Sequence, residues 1–119
     1  MRNKIIESVI KAGFRVQHEL GCGFLEKVYQ NALALELGSR GLKTEQEQKI
    51  TVYYHKQLVG VYYADLLIED EIIVEVKCGL RINMKHIKQV QNYLKATAKS
   101  YGLIVSFADY FSFKPVFGR

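Results

Sequence analysis

The chain has 119 residues and a formal net charge of +5, with 17 basic and 12 acidic side chains and an isoelectric point near 9.2. That size suits one domain whose core needs no staple, and the basic balance favours an anionic partner such as nucleic acid. No apolar run approaches the roughly 20 residues of a membrane span. The N-terminal stretch MRNKIIESVIKAGFRVQHEL interrupts its apolar residues at helical spacing, unlike a secretion signal. Cys22 and Cys78 form neither a C-x-x-C pair nor a zinc spacing and read as reduced thiols, so a cytoplasmic location without membrane attachment is expected.

Taken in order, the chain predicts a first helix over Asn3 to Glu19, with Ile6, Val9, Ile10, Gly13 and Val16 on its apolar stripe. The sequence GCG at Gly21 to Gly23 ends it. A second helix is predicted from Phe24 to Ser39, with Leu25, Val28, Tyr29, Ala32, Leu33 and Leu37 inward and Gly38 and Gly41 closing it. Lys49 to Tyr54 and Leu58 to Glu69 read as strands about a His55-Lys56-Gln57 turn. After the acidic turn Glu69-Asp70-Glu71, Ile72 to Cys78 reads as a third strand, so a meander is expected. Helical period returns from Asn83 to Ser100, with Met84, Ile87, Val90, Gln91, Leu94 and Ala98 buried. The continuous apolar run Gly102 to Phe107 fits a strand buried on both faces and reached by a crossover helix. Phe111, Phe113 and Phe117 alternate as in one last strand. The order α-α-β-β-β-α-β-β predicts an α/β sheet, antiparallel at first and extended by a parallel strand.

Three charges interrupt the most core-like of these strands. Glu75 and Lys77 share a strand face, with Val74, Val76 and Cys78 on the other. A hairpin turn centred near Asp70 sets Asp65 opposite Glu75, and opposed residues lie about 4.5–5.5 Å apart at Cβ. Two carboxylates that close repel unless a cation or a proton sits between them. A magnesium or manganese ion resolves the repulsion, and a nearby lysine can orient water or steady a charged phosphate. The competing reading is a solvated cluster on a half-exposed sheet face.

An acid on one strand followed by Glu-x-Lys on the next, then a helix and a buried strand, resembles the PD-(D/E)xK nuclease superfamily. Asp65 takes the place of the lone acid, and Ala64 stands where that family often has proline. Gln89 and Tyr93 form Q-x-x-x-Y, which resembles the recombination-exonuclease branch. His86, Gln89 and Tyr93 fall within about 60° on the helix. Gly23 to Tyr29 reads G-x-x-E-x-x-Y and, with YYADLLIEDEIIVEVK and HIKQVQNYLKAT, is similar to the small prokaryotic GxxExxY family over nearly the whole chain. The resemblance implies a single nuclease-like domain over residues 1–119. It implies two N-terminal helices, a three-stranded antiparallel meander, a crossover helix, a parallel strand and a short C-terminal strand.

It further implies a divalent-metal nuclease acting on DNA or RNA. Asp65, Glu75, the Val76 carbonyl and Glu26 would hold the ion. Lys77, Gln89 and Tyr93 would complete the catalytic set. Glu26 can equally be read as an acid placed at the positive end of a helix. His86, Lys85 and Lys88 are candidate substrate contacts, although Lys85, Lys88, Lys95 and Lys99 read first as a solvated helix face, with Arg81 ahead of them. Tyr53, Tyr54, Tyr62 and Tyr63 can stack bases or pack across strands. The alternative function is a non-catalytic nucleic-acid-binding or protein-interaction module that keeps the nuclease fold, and a homodimer could supply recognition surface.

Overall fold

The computed structural model describes residues 2–79 and 81–118. Helix α1 spans Arg2–Leu20 and α2 spans Glu26–Ser39. Strands β1 (Thr44–Tyr54), β2 (Gln57–Ile68) and β3 (Ile72–Cys78) follow, then α3 (Met84–Thr97), β4 (Tyr101–Phe107) and β5 (Phe111–Phe117). The strands form one sheet in sequence order, antiparallel throughout except for the parallel β3–β4 pair that α3 connects. The expected element order and pairing are therefore present. No helix among the described residues is long and apolar enough to cross a membrane.

Strand alternation sorts the apolar residues into two layers. Leu66, Ile68, Ile72, Val74, Val76, Leu103 and Val105 meet α1 and α2 through Val9, Ala12, Val16, Leu33 and Leu37. On the other face Ile50, Ala64, Leu67, Ile73 and Ile104 meet α3 through Val90, Tyr93 and Leu94. Each helix is turned slightly from its predicted stripe. Ile5 and Ala12 are buried in α1 while Ile6 and Ile10 only flank the core. At α2, Leu25 just ahead of the helix and Val28 within it are exposed, and the polar Gln30 is buried beside Tyr29. In α3, Met84 is exposed and Tyr93, expected beside the stripe, belongs to it. Two helices packing on one sheet face share that surface, so each buries the side its neighbour leaves open.

Three boundaries differ from expectation. β1 starts at Thr44 rather than Lys49, because polar TEQEQ pairs with the apolar end of β2 through Thr44↔Ile68 and Gln46↔Leu66. The second helix starts at Glu26 rather than Phe24, after Gly21 and Gly23 turn the chain at positive φ. The third ends at Thr97, where Ala98 adopts a left-handed conformation. Lys99, expected on that helix, instead donates to the Asp70 carbonyl at 2.8 Å. The acidic turn is tied down by lysines as well, Lys43 Nζ reaching Asp70 Oδ2 at 3.0 Å.

α1 crosses the sheet edge at Gly13, where a Cβ would stand 2.2 Å from the Phe111 ring. That ring is hemmed in by Phe14 and Phe107, at centroid distances of 4.8 and 5.1 Å. Overpacking of about 1–3 kcal/mol, set against the roughly 1 kcal/mol that alanine adds to a helix, should leave Gly13→Ala less stable by up to about 2 kcal/mol. Urea unfolding followed by circular dichroism checks this, and a more stable variant would contradict the close approach.

Candidate active site

The β2–β3 ladder runs through Ile68↔Ile72, Leu67↔Ile73 and Leu66↔Val74, and then stops. One step further on, the strands part at Asp65 and Glu75. The Asp65 N–H donates to Glu75 Oε1 at 2.9 Å, and the Val76 N–H donates to Asp65 Oδ2 at 2.8 Å. Amides released from the ladder are thus satisfied by carboxylates of the opposite strand, as buried N–H groups require. The two acids face each other as the hairpin register predicts, with side-chain bonds in place of the missing rungs.

Burial dominates their ionisation. It pushes the Glu75 carboxyl up to about 8, helped by the charge of Asp65. It pushes Asp65 up to about 6, opposed by the Val76 N–H and helped by the charges of Glu26 and Glu47. Lys77 pulls both down. β3 carries Glu75 and Lys77 on the α3 side, continuing the row begun by Ile73, while Val76 between them enters the α1/α2 core.

From α3, Gln89 and Tyr93 close a relay onto the lysine. Lys77 Nζ donates to Gln89 Oε1 at 3.2 Å, and Gln89 Nε2 donates to the Tyr93 hydroxyl at 3.0 Å. Burial and the charge of Glu75 hold the Tyr93 hydroxyl above its ordinary pKa. His86 has a second duty that spacing does not reveal. Its Nδ1 accepts the Asn83 N–H at 3.2 Å, while Asn83 Oδ1 accepts from Lys85 N at 2.9 Å and His86 N at 3.3 Å. This capping box starts α3 and fixes the ring. Partial burial and the nearby Lys77 charge lower the His86 pKa.

From the other face, α2 delivers Glu26. It is exposed in the first turn, where the helix dipole favours it, and its charge raises both Asp65 and Glu75. The reach depends on Tyr29, whose hydroxyl donates to the Gly21 carbonyl at 2.6 Å and accepts the Phe24 N–H at 3.3 Å. Its ring stacks on Phe107 at 4.8 Å. In G-x-x-E-x-x-Y, then, the glycine turns the chain, the charge of the glutamate acts on the pair and the tyrosine clamps the turn.

Gln30 and Glu47 escaped the sequence reading. Gln30 is buried, and its Nε2 lies 3.2 Å from the Asp65 carbonyl, 2.6 Å from Glu47 Oε2 and 3.1 Å from Gln46 Oε1. Glu47 has a left-handed backbone between the Gln46↔Leu66 and Gln48↔Ala64 pairs, which sets it level with Asp65. Glu47, Asp65 and Glu75 therefore fall in one row across β1, β2 and β3. Only an accurate start for β1 could have exposed this row, and the polar run TEQEQ gives no such signal.

Among the described residues, no three His, Cys, Asp or Glu side chains are gathered closely enough to form a complete cage. Asp65 and Glu75 nevertheless present two hard oxygen donors side by side, each raised by burial and like charge. That set fits an ion such as magnesium, which takes one or two carboxylates and fills its other positions with water and phosphate. It lacks the sulfur and nitrogen donors of a closed zinc site. Cys78, whose thiol burial and Glu26 push upward, stays protonated.

Lys85 and Lys88 are not on a merely solvated face. With Lys95 they line a groove of about 960 Å³ between α3 and the β1–β2 arm, alongside Gln89 and Tyr93.

Comparison with known families matches residues 3–116 to the PD-(D/E)XK nuclease superfamily. No curated protein matches the chain. Among solved structures it resembles SSO0001 with a TM-score of 0.56 and 22% identity, over 78% of this chain and 50% of that one, so it spans half of that protein's length. It also resembles an alkaline exonuclease, LHK-Exo from Laribacter hongkongensis, with a TM-score of 0.54 and 13% identity over 100% of this chain and 83% of that one. The structure of the same exonuclease with dAMP matches at 0.54 and 13% over 95% and 82%. The fold, the strand-borne acids with their lysine and a match over nearly the whole length agree: the chain belongs to the PD-(D/E)XK nuclease superfamily.

Proposed function

We propose that the chain acts as a single nuclease-like domain of the GxxExxY kind, hydrolysing phosphodiester bonds of DNA or RNA with magnesium or manganese. The observation that carries this reading is the pair of half-buried Asp65 and buried Glu75, which lacks enough positive charge of its own and has Lys77 alongside. Asp65 and Glu75 would hold the ion, with the Val76 carbonyl and Glu26 as further oxygen donors. Such an ion supplies charge neutralisation at the phosphate and a more acidic water. Lys77, held by Gln89, would orient the attacking water or steady the charge growing on the phosphate. Tyr93 keeps Gln89 turned towards the lysine. Lys85 and Lys88 would contact phosphates, and His86 would present Nε2 to the substrate. Resemblance in fold to an exonuclease supports the same direction.

Incubation of the purified chain with labelled single- and double-stranded DNA and RNA tests the reading. Cleavage should require a divalent ion, and Asp65→Ala and Lys77→Ala should each lower the rate at least about 100-fold. Activity that survives both substitutions would sink the assignment. Binding without cleavage under any divalent ion is what the non-catalytic module predicts.

The same pair sets a pH dependence. The folded chain keeps protons on Asp65 and Glu75 that the unfolded chain releases, so their contribution is full below the ordinary carboxylate range and is lost as pH rises through about 6 and about 8. Without metal, the wild-type melting temperature should therefore fall between about pH 5 and about pH 8 relative to Glu75→Gln, which cannot ionise there. Magnesium should raise the wild-type melting temperature more at about pH 8 than at about pH 5, because it binds the ionised pair. Thermal unfolding with and without chelator reads both effects, and a pH-independent difference between the two proteins would contradict the buried ionisation.

A further inference from the structure

We infer that the groove between α3 and the β1–β2 arm binds a single, unpaired nucleic-acid strand and leads it to the Asp65–Glu75 pair; the inference rests on the reading of nucleic acid as substrate. The two walls differ in chemistry. Lys85, Lys88 and Lys95 project from α3, and among the described residues no aspartate or glutamate lines the space. A lysine row of this kind tracks a phosphate backbone. Opposite it, Tyr53 and Tyr62 expose more than half of their surface, at 62% and 53%.

The Tyr62 ring does not wave freely, since it leans on the Tyr93 ring at a centroid distance of 5.9 Å. A supported, half-open aromatic ring is a platform for a base. In a duplex the base faces are already stacked on one another, leaving such rings only sugar and phosphate to meet. Stacking on one wall and phosphate contacts on the other match a strand whose bases are free.

The groove is continuous with the candidate site. Gln89 and Tyr93 line it, and the same Gln89 holds Lys77. A strand laid with its backbone along α3 thus arrives at Gln89, one hydrogen bond from Lys77, which stands on β3 beside the carboxylates.

Fluorescence anisotropy tests this, using the full chain, excess chelator to prevent cleavage, and labelled oligothymidine against a blunt duplex of equal length. The single strand should bind about tenfold more tightly. Tyr62→Leu, which keeps an apolar contact for Tyr93, should weaken single-strand binding about tenfold and leave duplex binding within about twofold. Lys88→Gln should flatten the salt dependence by about 0.7 in log–log slope, as loss of one phosphate contact does, whereas Lys11→Gln on α1 should not. Circular dichroism establishes that each variant is folded. Equal or tighter duplex binding, or a Tyr62→Leu affinity unchanged for the single strand, overturns the inference while leaving metal-dependent cleavage intact as a separate question. A dimer in light scattering that Tyr62→Leu dissociates also overturns it, since the groove would then be an interface between copies. Tight single-strand binding with no cleavage under any metal supports the groove assignment and removes only the nuclease reading.

Discussion

The structure turns on one exchange of hydrogen bonds, in which Asp65 and Glu75 each take an amide that the β2–β3 ladder has let go. Two strands that separate inside a sheet leave N–H groups without partners, at a cost of about 1–3 kcal/mol apiece if they stay buried. Carboxylates are the strongest acceptors available, so they stabilise the opening that their own charges would otherwise burst. The opening in turn determines where chemistry can happen. β3 remains fastened to β4 through Glu75↔Ile104 and Lys77↔Ser106, so Glu75 and Lys77 stand on a fixed rail. β2 moves aside together with β1, to which it stays paired, and their departure bares the edge that the carboxylates occupy.

Because the helices lie on both sides of the sheet, the opening is braced from both. Gln30 on α2 ties the Asp65 carbonyl and the Glu47 carboxylate together from one face. Gln89 on α3 restrains Lys77 from the other. The braces differ in kind. Gln30 is buried and holds backbone, so it sets the position of the strand. Gln89 lies at the mouth of a groove and holds a charged side chain, so it sets the direction of Lys77 while staying within reach of what enters. α2 can brace only because Tyr29 pins the glycine turn ahead of it.

Much of this was legible in the sequence. Element order, the meander and the crossover follow from strong periodicity and turn residues, and the facing of Asp65 and Glu75 follows from hairpin arithmetic alone. The less legible parts share a physical origin. Helix stripes were misjudged by about one position at Ile6, Leu25 and Met84, because periodicity reports an amphipathic face and not which neighbour competes for it. The early start of β1 was hidden because polar TEQEQ draws its strand character from pairing with Ile68 and Leu66. With that start went Glu47. Gln30 looked like an ordinary polar helix residue, since its role lies in contacts 16 to 35 residues away in sequence. The cap that His86 forms depends on Asn83, a relation that only backbone geometry makes specific.

The charge distribution links these features. Glu47, Asp65 and Glu75 share a row, Glu26 faces them, and Lys77 stands nearby with Lys27 already paired to Glu47 at 2.9 Å. Protonation can relieve that crowding, as the raised carboxyls show, but only by giving up the charge that would attract a cation. Binding of a divalent ion reverses the choice and releases protons. The lysines of the neighbouring groove do not substitute for it, since they lie along α3 across from the arm, in a groove that neither carboxylate lines. Negative charge is thereby concentrated at a point and positive charge along a line. On the proposed reading a compact cation would answer the first and an extended polyanion the second, so each would neutralise the part of the surface that repels the other.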